Sequence, residues 1–218
     1  MDIEIKFQWK INFPLHVGTG ISRINRADRL IKMKNGFPYI PGEAVKGAIR
    51  GNAERIAAWF FSKSKPQPLS THPVIERIFS PKDDSTYYKF HPADCAGGAT
   101  ASKTVSFTAI DSDSGIALDE SLRTIEALCR NSIFKVRVSC LSGSWDQNQS
   151  RDWEDLRFLL AAILATDAVA GRKGIGFGRV QCIFDDKEIC GILISDFAKE
   201  EIVHLIRNHM ISSIQESL

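Results

Sequence analysis

The stretch Gly171-Arg-Lys-Gly-Ile-Gly-Phe-Gly-Arg179 carries the sharpest chemical signal in the sequence. Gly171, Gly174, Gly176 and Gly178 alternate with Arg172, Lys173 and Arg179 between an apolar helical pattern and a strand pattern. Glycine lets the main chain approach a phosphate with its amides turned inward, and flanking cations neutralise the ligand's charge. The order is helix to strand, so this is not the dinucleotide fingerprint, and the G-x-x-x-x-G-K-[ST] pattern of a P-loop is absent. A helix C-cap followed by a tight turn needs one or two glycines. Four glycines with three cations point instead to contact with a polyanion.

Asp28 is the second candidate, lying among Arg23, Arg26, Arg29, Lys32 and Lys34 in a loop flanked by Gly18 and Gly20. A carboxylate among phosphate-binding cations can hold a divalent cation or orient a ribose 2′-hydroxyl for attack on RNA. Spacing alone favours the simpler role, a surface acid paired with neighbouring arginines. His16 follows a strand pattern and precedes Gly18, a position suited to a general acid or base. The commoner role of a lone histidine is neutral packing or a hydrogen bond to a loop. Lys46 and Arg50 are four residues apart and project from one side of a helix, while Gly47 and Gly51 leave room there for another backbone.

Other chemistries find no matching pattern. There is no nucleophile elbow, no H-E-x-x-H, and no pair of carboxylates on one helix face. His72, His91, His204 and His209 lack a companion at ligand spacing. The cysteines at 95, 129, 140, 182 and 190 are odd in number and include no C-x-x-C, so a disulfide framework is not expected. His91-Pro-Ala-Asp94-Cys95 has no second half, so no zinc site is expected. The acids at 83–84, 111–113 and 185–186 read as turn residues. With 28 Lys and Arg against 26 Asp and Glu, nucleic-acid contact must come from local clustering rather than net charge.

Over 218 residues, 44% hydrophobic and 25% charged composition excludes a disordered chain, a collagen-like fibre and a coiled coil. The longest apolar run, Phe158–Leu164, falls far short of the roughly 20 residues of a membrane span. The first residues alternate polar and apolar without the apolar core of a secretory signal. A cytoplasmic protein without a membrane partner is expected.

Residues 3–13 alternate strictly, so the pattern predicts a strand with Ile3, Ile5, Phe7, Trp9, Ile11 and Phe13 on its buried face. A glycine-flanked loop then runs to about Lys34, Asn35-Gly36 is a turn, and Phe37–Pro41 is extended. Val45, Ala48, Ile49, Ala53, Ile56, Ala57 and Phe60 form one helical face. A weaker helix covers His72–Phe79, a polar stretch without periodicity covers Ser80–Thr104, and Val105–Ile110 and Ile133–Leu141 are strands. Asp152–Val169 is a helix with Asp152 as N-cap, Val180–Phe184 a strand, Ile189–Ile194 a short strand, and 198–211 a C-terminal helix. The order predicts an α+β fold with a ferredoxin-like (RRM-like) βαββαβ core. One domain over 1–218 is expected, with its core at about 3–62 and 105–195 and an inserted polar segment at about 63–104.

Three segments together, Pro14-Leu-His-Val-Gly-Thr-Gly20, Phe37-Pro-Tyr-Ile-Pro-Gly42 and Ala44-Val-Lys-Gly-Ala-Ile-Arg50, resemble the N-terminal signature of the RAMP superfamily of CRISPR-associated proteins. Gly171–Arg179 is similar to that superfamily's C-terminal glycine loop, and Val105–Asp111 with Ser132–Phe134 to the middle of type III backbone subunits. The resemblance implies a Cas-seven-type subunit that binds CRISPR guide RNA and stacks on copies of itself beside other type III effector subunits. It implies RNA contact by Lys46 and Arg50, with His16, Gly18, Gly20 and the loop residues Gly171, Arg172, Lys173, Gly174, Gly176, Gly178 and Arg179 around them. Inserted thumb and lid segments are implied too, with a thumb-like hairpin, within about 80–120, that parts the guide–target duplex. In cleaving members a loop aspartate cuts complementary target RNA with Mg²⁺ or another divalent cation, and Asp28 is the only acid between residues 5 and 42. Two alternatives stay open: a guide-binding scaffold that does not cut, and a CRISPR-repeat-processing endoribonuclease using His16.

Overall fold

The structure, a computed structural model, describes residues 3–20, 30–61, 73–80, 88–96, 102–140, 150–171, 175–184, 188–189 and 192–193. In chain order its elements are β1 (Glu4–Ile11), β2 (Met33–Lys34), β3 (Phe37–Ile40), α1 (Gly42–Phe61), α2 (Pro73–Phe79), β4 (Tyr88–Phe90), β5 (Ala93–Ala96), β6 (Ser102–Phe107), β7 (Arg123–Leu128), β8 (Ile133–Cys140), α3 (Ser150–Leu164), β9 (Val180–Phe184), β10 (Glu188–Ile189) and β11 (Ile192–Leu193).

The main sheet runs β2-β3-β5-β8-β1-β9, with β4 also paired to β8, and every ladder is antiparallel. Two split βαβ units interlock here. The first is β1-α1-β4/β5 with β8 lying between its strands, and the second is β8-α3-β9 with β1 between its strands. That is the ferredoxin-like arrangement the element order predicts. The period-2 pattern of β1 buries Ile5, Phe7, Trp9 and Ile11 completely, opposite Val138, Val136, Phe134 and the β8 turn. The helices cover that face of the sheet. Val45, Ile49 and Ala53 of α1, Ile75 and Ile78 of α2, and Leu156, Leu159 and Ile163 of α3 are all at most 2% exposed. Each such large aliphatic side chain contributes roughly 1.5–3 kcal/mol on burial. Arg77 of α2 donates through Nε to Asp155 Oδ2 of α3 at 2.8 Å, so the nearly buried Asp155 carboxylate is paired.

The two-residue turn at Asn35-Gly36 closes the β2–β3 hairpin with both residues at positive φ, 52° and 81°. This is the backbone hand that matches strand twist. The β6–β7 hairpin leaves the main sheet as a separate two-stranded ribbon. Its distal end is organised by Asp111, whose Oδ1 accepts from the backbone N–H of Asp113 and Ser114 at 3.1 and 2.8 Å. That accounts for the turn expected at 111–115, and these bonds hold the Asp111 carboxyl below its usual range.

Four expectations need correction. The polar stretch Ser80–Thr104, read as an insertion, contains β4 and β5, which are core strands on β8. The inserted ribbon is instead β6–β7, and β7 has no counterpart in the sequence reading. Phe13 is 49% exposed because β1 ends at Ile11, so Phe13 has left the alternation that buries its predecessors. Asp152 falls inside the first turn of α3, which starts at Ser150 and ends at Leu164 rather than Val169. Its last turn tightens where Thr166 N donates to Ile163 O at 3.1 Å and Thr166 Oγ1 donates to Ala162 O at 2.8 Å. The expected short strand at 189–194 is the small β10–β11 hairpin. The C-terminal helix expected at 198–211 lies outside the described residues. No helix among the described residues is long and apolar enough to cross a membrane.

Candidate RNA-binding site

Pro14–Thr19 is the junction of three segments. Gly178 N donates to Pro14 O at 2.9 Å, joining this stretch to the glycine loop. On the other side Leu15 and Leu128 exchange backbone bonds of 3.2 and 2.8 Å, joining it to β7. Further on, Lys32 N donates to Val17 O at 2.8 Å and Thr19 N to Leu30 O at 3.0 Å. These two bonds close the neck of the loop 20–29. Asp28, in that loop, lies outside the described residues.

Glu126 of β7 locks the neck to the hairpin. Its Oε2 accepts from Ile31 N at 3.2 Å, its Oε1 accepts from Ser102 Oγ at 2.8 Å, and its backbone carbonyl accepts from His16 Nδ1 at 2.7 Å. A carbonyl only accepts, so Nδ1 carries the proton in this bond. His16 is 5% exposed, and its Nε2 would lie 2.7 Å from a Cβ added at Gly18. Gly18 therefore makes room for the ring. His16 is committed to holding the Pro14–Gly20 stretch against the hairpin, which is the loop hydrogen bond weighed against acid–base work.

A backbone ladder between residues 167–169 and 178–180 closes the base of the glycine loop. Val169 N donates to Gly178 O and Val180 N to Asp167 O, both at 2.9 Å, with a bridge between Ala168 and Arg179. Gly178 has φ 70°, and a Cβ there would stand 2.0 Å from Val169 O, so only glycine fits. Gly171 faces open space and has no such local requirement. Arg172, Lys173 and Gly174 lie outside the described residues.

The cations divide into two sets around α1. Arg50 donates from Nε to Glu54 Oε1 at 2.8 Å and from Nη1 to Ser80 Oγ at 2.9 Å, beyond α2. Lys46, one turn earlier and half-buried, has no ion pair to a described residue. Arg179 donates to Asp167 Oδ2 at 2.7 Å, and Asp167 Oδ1 accepts from Arg55 Nη2 at 3.1 Å. Arg55 follows Lys46 by nine residues, about 180° around the helix. The Lys46–Arg50 pair and the Arg179 end of the glycine loop thus stand on opposite flanks of α1. The RNA contacts that the resemblance implies for Arg50 and Arg179 would have to compete with these carboxylates. Sequence reading missed Glu126, Asp167 and Arg55, whose partners lie 95–112 residues away and leave no local pattern.

The model of the RAMP superfamily matches residues 11–181, most of the chain and every segment of this junction. The chain belongs to the RAMP superfamily. Among curated proteins none matches. A RAMP protein is CRISPR-associated and RNA-binding, and the mostly antiparallel α+β architecture is the superfamily's ferredoxin-like fold. Within this RAMP chain the metal-like run at His91 serves the sheet. His91 Nε2 donates to Ser139 Oγ at 2.8 Å and Nδ1 accepts from Arg137 at 3.3 Å. Desolvation, then the nearby Arg137 and Lys89 charges, lower the His91 pKa. Cys95, Cys129, Cys140 and Cys182 form no disulfide among the described residues.

Proposed function

We propose that this RAMP protein is a guide-RNA-binding backbone subunit of a type III CRISPR effector complex, stacking on copies of itself and cleaving guide-complementary RNA through Asp28. The observation that carries this reading is the coupling at Glu126. One carboxylate joins the neck of the Asp28 loop to the foot of the β6–β7 hairpin. That hairpin ends in Ile110, Ile116, Leu118 and Leu122, each 49–68% exposed. Apolar side chains on a protruding ribbon suit a wedge that unstacks a base step. A loop rooted at the same foot would stand beside the nucleotide so displaced.

Asp28 then orients the ribose 2′-hydroxyl toward the adjacent phosphorus. The 2′-oxygen bonds to phosphorus as its proton leaves, and the bond to the 5′-oxygen breaks with protonation of that oxygen. The products are a cyclic phosphate and a 5′-hydroxyl. Among the described residues no cluster of three His, Cys, Asp or Glu could cage an ion. Mg²⁺ is commonly held by one or two carboxylates together with substrate phosphates. A lone Asp28 fits that donor set with RNA in place, and a bound divalent cation would supply charge neutralisation at the scissile phosphate.

The test is cleavage of a labelled complementary RNA by the guide-loaded assembly in Mg²⁺ or EDTA, wild type against Asp28→Ala. Regularly spaced cuts that need metal and vanish in the variant are expected. Intact target with guide still bound would leave a scaffold and reduce Asp28 to a surface acid.

A further inference from the structure

The helices cover one face of the main sheet, and no helix among the described residues covers the other. On it the antiparallel registers bring Lys6 opposite Arg137, Gln8 opposite Lys135, Lys10 opposite Gln181, and Lys89 opposite Ser139. Lys34 joins them across from Phe37 on the β2–β3 hairpin. These are the outward positions of strands whose alternate residues form the core. Among the described residues the face therefore carries six cations against two carboxylates, Glu4 and Asp94, an excess of four on one side of a chain whose net charge is +2. Glu4 is already used, bonded to Lys6 at 2.8 Å and Arg137 at 3.1 Å. Lys10, Lys34, Lys89 and Lys135 have no ion pair to a described residue.

Two further features indicate what covers this face. Its cations continue into the glycine loop: Lys10 is followed by Asn12, whose N–H donates to Arg179 O at 2.9 Å. At the far edge Phe37 is 48% exposed and Tyr39, opposite Asp94, is half-buried on the same face. Cations spread along strands with aromatic rings beside them match a phosphate backbone whose bases stack on the protein. We infer that this face of the sheet is a second RNA-binding surface, separate from the Lys46–Arg50 flank, which carries a single RNA strand from the glycine loop across Lys10 and Lys135 toward Lys89. The inference rests on the RNA-binding reading and adds to it the path of a strand on the opposite side of the molecule.

The experiment is binding of a fluorescein-labelled oligouridylate to the full chain across a KCl series. Single-strand binding loses about 0.7 in the slope of log K against log salt for each phosphate contact removed. The triple variant Lys10→Ala, Lys89→Ala, Lys135→Ala should flatten that slope by about 2, while the three Lys→Arg changes should keep it. Lys46→Ala serves as the comparison. An unchanged slope in the triple variant with weakened binding by Lys46→Ala would overturn the inference and leave RNA binding standing. No effect from either would overturn both. Lost affinity at unchanged slope in the triple variant would mean a folding defect and also overturn it. So would a triple variant that lost polyglutamate but kept oligouridylate, since the face would then dock an acidic protein.

Discussion

Gly178→Ala removes no contact, yet it should be among the most damaging small substitutions in the chain. The added Cβ would lie 2.0 Å from Val169 O, a full ångström inside the closest separation such atoms adopt. The strand cannot shift freely, because Gly178 N holds Pro14 O and Gly178 O accepts from Val169 N, both at 2.9 Å. Alanine at φ 70° costs roughly 1–2 kcal/mol. Breaking one or both of the bonds to relieve the clash adds about 0.5–1.5 kcal/mol each. The sum is about 1.5–5 kcal/mol, read as a lower midpoint in urea unfolding with little change in slope. Two controls separate the causes. Gly176→Ala, at φ 85° in open space, should cost only the strain, and Gly171→Ala, with neither problem, should leave stability unchanged. RNA affinity should fall in Gly178→Ala, because the glycine loop is hung from Pro14 and Val169 by the bonds that the clash strains. A Gly178→Ala protein within about 0.5 kcal/mol of wild type, the usual scatter of a neutral surface change, would refute this reasoning.

Two other outcomes follow from the same contacts. Glu126→Ala strips the acceptor from Ile31 N and should cost about 1–3 kcal/mol, with Glu126→Gln costing less; target cleavage should drop while guide affinity holds, and equal losses in both assays would contradict the neck role. The lowered His91 pKa means that the unfolded chain binds more protons in the window below its reference value of 6.5. Stability should therefore fall as pH is lowered from about 6.5 through the depressed native value and level off beneath it. NMR titration of the ring and acid unfolding of His91→Gln, which should lack that component, check the sign.

The legible parts of this protein are those with short-range causes. The alternation of β1, the apolar stripe of α1 and the Asn35-Gly36 turn follow from residue type within a few positions. Strand β9 was bounded at Val180 and Phe184 for the same reason. The core strands β4 and β5 escaped because they are only three and four residues long and half of each faces solvent. Buried Tyr88 pairs with Cys140 of β8 and buried Ala93 with Ile40 of β3, each about fifty residues away in sequence. Strand β7 escaped likewise, since Ile125 and Ala127 pack with Phe177 of the glycine loop and only Leu128 joins the main core. At the site the glycines were visible and their reasons were not. Gly178 is demanded by a carbonyl nine residues before it, and Gly18 by a histidine ring two residues before it.

The cations were visible too, but their state was not, and this changes how they can meet RNA. Arg50 and Arg179 enter already bonded to Glu54 and Asp167. Pairs as exposed as these, with side chains 29–50% accessible, are worth at most about 1 kcal/mol, so a phosphate can replace the carboxylate at small cost. The replacement nevertheless leaves Glu54 or Asp167 beside the bound anion, and that repulsion subtracts from the gain. Arg55 can still hold Asp167, so the exchange at Arg179 leaves a partnered acid, whereas Glu54 has no second cation among the described residues. Lys46 has no bridge to break. On the α1 flank, then, Lys46 rather than Arg50 should supply the larger share of phosphate affinity, although the arginine offers the better fork for a phosphate. The order of the two is set by what each already holds.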